Sequence, residues 1–127
     1  MSENLQKLLE EFVRDAGLES IATAIVDFFG KELAYSIHGT FGKDFNPEHA
    51  ASVFVMVVNF LNKTLGDIHF KDDEVEEILV TSENGYFFLE VIEAEKCFQG
   101  VAVTKKEDIN KIRQLVKKYK PQFLTTL

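Results

Sequence analysis

The sequence predicts an α+β sandwich, with one central five-stranded antiparallel sheet and helices on both of its faces. Three observations carry this expectation. Helical and strand patterns follow one another in the order helix, two strands, helix, three strands, helix, and hydrophobic periodicity is the primary signal for each type. The links within the strand runs are short: Asp27-Phe28-Phe29-Gly30, Ser82-Glu83-Asn84-Gly85 and Glu93-Ala94-Glu95-Lys96. Links that short join antiparallel neighbours. The chain has 127 residues, 46% of them apolar and 28% charged. That suits one domain over residues 1–127 with its own core, and is too apolar for a disordered chain. Twelve Phe and no Trp make phenylalanine the chief aromatic of that core.

The first helix is predicted over Glu3–Ala16. Leu5, Leu8, Leu9, Phe12 and Val13 repeat at helical spacing. Ser2 or Asn4 is placed to cap it and Gly17 to stop it. Strands Ile21–Val26 and Glu32–Ile37 pair across a tight turn in which Gly30 is free to adopt positive φ. Phe28 and Phe29 either pack on the sheet edge or form the apolar tips of a contact surface. His38 to Phe45 reads as a loop. Asn46-Pro47 then marks a helix start, with Asn as cap and Pro at the first position. This helix is expected to run from Pro47 to about Thr64, ending before Gly66.

From Ala50 to Leu61, ten of twelve residues are apolar. At 100° per residue, Ala50, Phe54, Val57, Val58, Leu61 and Leu65 form one face. Val53, Val55, Met56 and Phe60 carry the apolar surface well around the cylinder, and only Ser52, Asn59, Asn62 and Lys63 keep the far side partly polar. A helix apolar over most of its circumference is covered on more than one side. The second cover must come from a third layer or from another molecule.

Asp67 to Asp73 reads as a loop. Three strands follow, over Glu74–Thr81, Tyr86–Ile92 and Cys97–Val103, the first two joined by Asn84-Gly85, the strongest short hairpin signal. Gly100 in mid-strand implies close approach by something above it. The last helix is predicted to open with a capping box, Thr104 with Glu107. Its apolar stripe is Ile109, Ile112, Leu115, Val116 and Tyr119, and Pro121 is expected to end it.

The formal net charge is −7, which disfavours nucleic acid and anionic membranes as partners. Lys117, Lys118 and Lys120 read as lysines facing the partial negative charge of a helix C-terminus rather than as a basic patch. The single cysteine, Cys97, excludes an intrachain disulfide and fits a small buried hydrophobe. The polar start from Met1 to Glu11 does not read as a secretion signal, and no apolar run approaches the ~18 residues of a membrane span. A cytoplasmic location is expected. His38, His49 and His69 share no metal-ligand spacing, and no nucleotide fingerprint occurs. No nucleophile–base set stands out, so no catalytic residue, cofactor or metal is expected. The acidic run Asp72, Asp73, Glu74, Glu76 and Glu77 lacks the pattern of a calcium loop. It is the solvated start of a strand, a docking patch for a basic partner, or a set of charges that blocks unwanted strand pairing.

The ordered set of patterns resembles the roadblock / dynein light chain family. The matching residues are Leu8, Leu9 and Phe12 in the first helix, then Ser20-Ile21-Ala22-Thr23-Ala24-Ile25-Val26-Asp27 with Gly30 three residues on, then the long apolar helix from Pro47. The second half continues with Glu77-Ile78-Leu79-Val80-Thr81-Ser82-Glu83-Asn84-Gly85-Tyr86, the strand Cys97 to Val103, and Ile109 to Leu115. The likeness covers nearly the whole chain and departs at Phe28-Phe29, where the family usually has a polar pair.

The resemblance implies a single roadblock-type, profilin-like sandwich that acts as a non-catalytic dimeric regulatory or scaffolding module. In such proteins the middle helices of two subunits pack together and edge strands can join the sheets. That places a subunit contact on Ser52, Val55, Met56, Asn59, Phe60 and Lys63, and leaves Phe28, Phe29, Glu74 and Glu76 as a surface for another partner. Prokaryotic members often work with small Ras-like GTPases, in some cases accelerating hydrolysis; eukaryotic members serve dynein or membrane-bound nutrient-sensing complexes. The expected function is thus a homodimer that binds a small Ras-like GTPase and modulates its hydrolysis, with neither Arg14 nor Arg113 assignable as an arginine finger. The alternatives are a structural adaptor without effect on hydrolysis, and a small-molecule sensor with His49 as the residue to examine.

Overall fold

The computed structural model describes residues 3–43, 46–68, 70, 73–94 and 96–127. Within them the predicted element order is observed. Helix α1 spans Glu3–Ala16, β1 Ile21–Asp27, β2 Glu32–His38, α2 Pro47–Asp67, β3 Glu77–Thr81, β4 Gly85–Glu93, β5 Cys97–Thr104 and α3 Ile109–Thr126. A short 3-10 turn, Gly39–Lys43, fills part of the stretch expected to be loop. The strands form one sheet in the order β2-β1-β5-β4-β3, and every neighbouring pair is antiparallel.

The sheet separates two cores. On one face, Leu5, Leu8, Leu9 and Phe12 of α1 and Ile112, Val116, Tyr119 and Phe123 of α3 pack over Ile21, Ile25, Phe88, Ile92, Val101 and Val103. The Phe12 and Tyr119 rings meet edge-on at 5.5 Å, and the Tyr119 hydroxyl donates to Asp15 at 2.7 Å, tying α3 to α1. On the other face α2 covers Ala24, Val26, Leu89, Val91 and Phe98. Gly100 explains how closely it does so. A methyl group there would lie 3.0 Å from the Phe54 ring of α2 and 3.1 Å from Phe87, so glycine lets these two stacked rings rest on β5.

Several boundaries differ from the sequence expectation. Helix α2 runs through Gly66 to Asp67. Strand β3 begins at Glu77 rather than Glu74. Asn4 lies inside α1 rather than capping it, and Ser2, Phe45, His69 and Asp72 lie outside the described residues. Thr104 and Glu107 close a turn through Glu107 N–H and Thr104 C=O, while the cap of α3 is Asp108, whose carboxylate accepts from the Asn110 and Lys111 amides. The carboxylate outcompetes the upstream threonine because it reaches two of the unpaired amides of the first turn.

Pro121 lies inside α3. The helix continues because Phe123, fully buried beyond the proline, packs into the α1–α3 core with its ring tilted against Tyr119 at 5.9 Å. That burial offsets the one backbone hydrogen bond the proline removes. Lys117 and Lys120 are therefore not at a helix terminus. Both pair with Glu90 of β4, each at 3.0 Å.

Candidate functional site

The side chains of α2 divide by angle. Ala51 and Val58 are fully buried, and Phe54 and Val55 pack beside them against the sheet. The inward face is thus centred on Ala51 and Val58, rotated from the expected one, and Val57 falls outside it. The opposite face is apolar and bare: Met56 is 70% exposed and Phe60 68%, with Val53 and Val57 each about 40%. Ser52, Asn59 and Lys63 run along one side of this stripe, all exposed.

Of the six residues expected at a subunit contact, Ser52, Met56, Asn59, Phe60 and Lys63 lie on this outer surface, and Val55 points to the sheet. Val53 and Val57 belong to the stripe although the sequence reading left them out. The signal that finds them is the helical angle counted from Val58 rather than from Ala50. The helix thus carries an exposed apolar stripe on the face opposite its packed one, a kind of patch that is uncommon on a monomer's surface.

The turn between β1 and β2 separates its two phenylalanines. Phe28 is half-buried with its ring edge-on to Phe98 at 5.4 Å, whereas Phe29 is 96% exposed. The turn is tightly bonded. The Asp27 carboxylate accepts from the amides of Phe29 and Lys31, both at 2.9 Å, and Gly30, at φ +84°, donates to the Asp27 carbonyl. Asp at the turn's start and Gly at its positive-φ position supply this geometry from sequence alone. Gly30 also abuts α2: a methyl group built on it would lie 3.7 Å from Ser52.

Glu74 and Glu76 are exposed and line an open groove of about 840 Å³ at the C-terminal end of α2, where Leu65, Phe70 and Val91 form apolar walls. Glu77, the next acid of the run, and Lys120 also line this groove, but Glu77 is paired with Arg113 and Lys117. Burial acts to raise its pKa, but hydrogen bonds and charge from Arg113 and Lys117 outweigh this and hold it below the ordinary carboxylate value.

His49 is exposed at the start of α2 and does not line this groove. Burial raises the Cys97 thiol pKa to about 11, which makes it a poor nucleophile at neutral pH. Among the described residues, no three His, Cys, Asp or Glu side chains are grouped to hold a metal ion. No helix among them is long and apolar enough to cross a membrane.

No family model matches the sequence, and no curated protein matches it. Solved structures do. Myxococcus xanthus MglB superposes with a TM-score of 0.80 at 14% identity, over 97% of this chain and 93% of that one. An MglB described with a tetrameric arrangement superposes with a TM-score of 0.80 at 15% identity, over 95% and 85% of the two chains. A roadblock/LC7 domain from Streptomyces avermitilis gives 0.68 at 17% identity, over 96% and 99%. Likeness across almost the whole of each chain, at identities this low, reports shared architecture: this chain has the roadblock/LC7 fold in an MglB-like form.

Proposed function

We propose that this chain is a non-catalytic regulatory module, that it acts as a homodimer through the outer face of α2, and that the dimer binds a small Ras-like GTPase and modulates its hydrolysis. The carrying observation is the bare stripe of Val53, Met56, Val57 and Phe60 on a helix already packed on its other side. A two-fold contact brings the same patch against itself. A stripe with an apolar centre and the small or polar Ser52 and Asn59 beside it meets its own copy without burying like charges. The tetrameric arrangement of the solved MglB supports self-association as a property that this architecture accommodates. The GTPase part of the reading rests on the family resemblance and the MglB-like fold.

The test is the molecular mass of the full chain in solution, for wild type, Met56→Asp and Phe60→Asp, followed by single-turnover GTP hydrolysis by a small Ras-like GTPase of the same organism. The reading expects a dimer at micromolar concentration, monomers for both variants, and a hydrolysis rate altered only by the dimer. A wild-type monomer overturns the dimer. A dimer that binds the GTPase and leaves its rate unchanged overturns the regulatory role and makes the protein an adaptor.

A further inference from the structure

The two ends of α2 carry features of opposite shape and charge. Beside Ser52, near its N-terminal end, stands the bonded β1–β2 turn, which holds Phe29 almost wholly in solvent with the exposed Lys31 two residues on. At its C-terminal end lies the groove walled by Leu65, Phe70 and Val91 and rimmed by Asp73, Glu74 and Glu76; Glu77 and Lys120 also line it, but each is already paired, Glu77 with Lys117 and Lys120 with Glu90. The three rim acids are exposed, and among the described residues none of them makes an ion pair. One end is a rigid aromatic knob with a cation beside it, and the other is an apolar hollow with an acidic rim.

We propose that these two features are the two halves of one contact. Phe29 of one copy seats in the groove of a second copy, and Lys31 meets its acidic rim. The inference rests on the dimer reading above and supplies its register. With the two-fold axis perpendicular to α2 and level with Val58, midway between Met56 and Phe60, the helices run antiparallel. Ser52 of one copy then lies level with Thr64 of the other, one residue from the groove wall at Leu65, a helical rise of about 1.5 Å. The turn that abuts Ser52 then stands at the same height along the helix pair as the second copy's groove. Symmetry makes the contact twice, once at each end of the helix pair. An aromatic held by a bonded turn loses little freedom on docking, which is how a single side chain comes to dominate an interface. The assignment gives Phe29, Glu74 and Glu76 to a second copy of this chain rather than to a different protein, and it gives the acidic run a basic counterpart within the same sequence.

Sedimentation equilibrium of the full chain tests this with five proteins: wild type, Phe60→Asp, Phe29→Ala, Lys31→Glu, and the Lys31→Glu, Glu74→Lys double variant. The expected result is a wild-type dimer and a Phe60→Asp monomer. Phe29→Ala and Lys31→Glu raise the dimer Kd about tenfold or more, and the double variant recovers most of the Lys31→Glu loss, as charge complementarity requires. If Phe60→Asp is monomeric while Phe29→Ala and Lys31→Glu keep the wild-type Kd, the knob-and-groove contact is overturned and the α2 dimer stands. Weakening by Lys31→Glu that Glu74→Lys does not relieve overturns the pairing of Lys31 with that rim. A wild-type monomer overturns both readings. Thermal melts of the monomeric variants check that these exposed substitutions leave the fold intact.

Discussion

Glu77 on the edge strand stands directly opposite Glu90 on β4. Two carboxylates facing each other across a ladder repel, and Glu90 is only 2% exposed. A single stripe of α3 resolves the conflict. Arg113 forks onto both oxygens of Glu77. Lys117 bridges Glu77 at 3.1 Å and Glu90 at 3.0 Å, and Lys120 takes the other Glu90 oxygen at 3.0 Å. Residues 113, 117 and 120 share one helical face, so these cations pin the edge strand to the helix beneath it.

The pairing predicts an asymmetry between its members. Replacing both Lys117 and Lys120 with Met strands a carboxylate in the interior and is expected to cost about 3–5 kcal/mol. Glu90→Gln leaves two lysines that are each a third to a half exposed and free to turn into water, and is expected to cost about 1 kcal/mol. Urea denaturation of the three proteins measures both. Equal costs, or the reverse order, would show that Glu90 is not held as a buried charge.

Acid should release the edge strand. The Glu77 pKa in the folded protein lies below its ordinary value of 4.5. The unfolded chain therefore takes up this proton first as pH falls. The stabilisation by Glu77 is fully present above its unfolded pKa, and is lost as pH drops through the folded one. The melting temperatures of wild type and Glu77→Gln are expected to differ at neutral pH and to converge as pH falls below the ordinary carboxylate value. A constant gap across that range would remove the ion pair as its cause.

Gly100 should be sensitive to a single methyl group. Its added carbon meets Phe54 at 3.0 Å and Phe87 at 3.1 Å, so one of the stacked rings must shift. Gly100→Ala is expected to cost about 1–3 kcal/mol, the range for overpacking a core. Phe54→Leu should cost less in the Gly100→Ala background than in wild type, since both changes act on one contact. Additive losses in a urea-melt cycle would mean that the alanine is accommodated elsewhere.

The sequence by itself determined the elements whose signals are local. The end of α1 at Gly17, the Asp27–Gly30 turn, the Asn46 cap of α2 and the Asn84-Gly85 hairpin all follow from residues that touch their own neighbours in the chain. It also determined that the apolar residues of α2 extend beyond one face, as the exposed Met56 and Phe60 show. The tertiary structure decided what depends on distant partners. It chose which face of α2 turns inward, and so exposed Val53 and Val57 while taking Val55 to the sheet. It carried α3 through Pro121, because burial of Phe123 against α1 offsets a local penalty that reads as a stop. It gave Lys117 and Lys120 a buried carboxylate 27 and 30 residues away in the chain in place of a helix end. Turns and caps are interactions within a few residues and are written in order. Burial and ion pairing join segments far apart in sequence, and only the packed molecule brings them together.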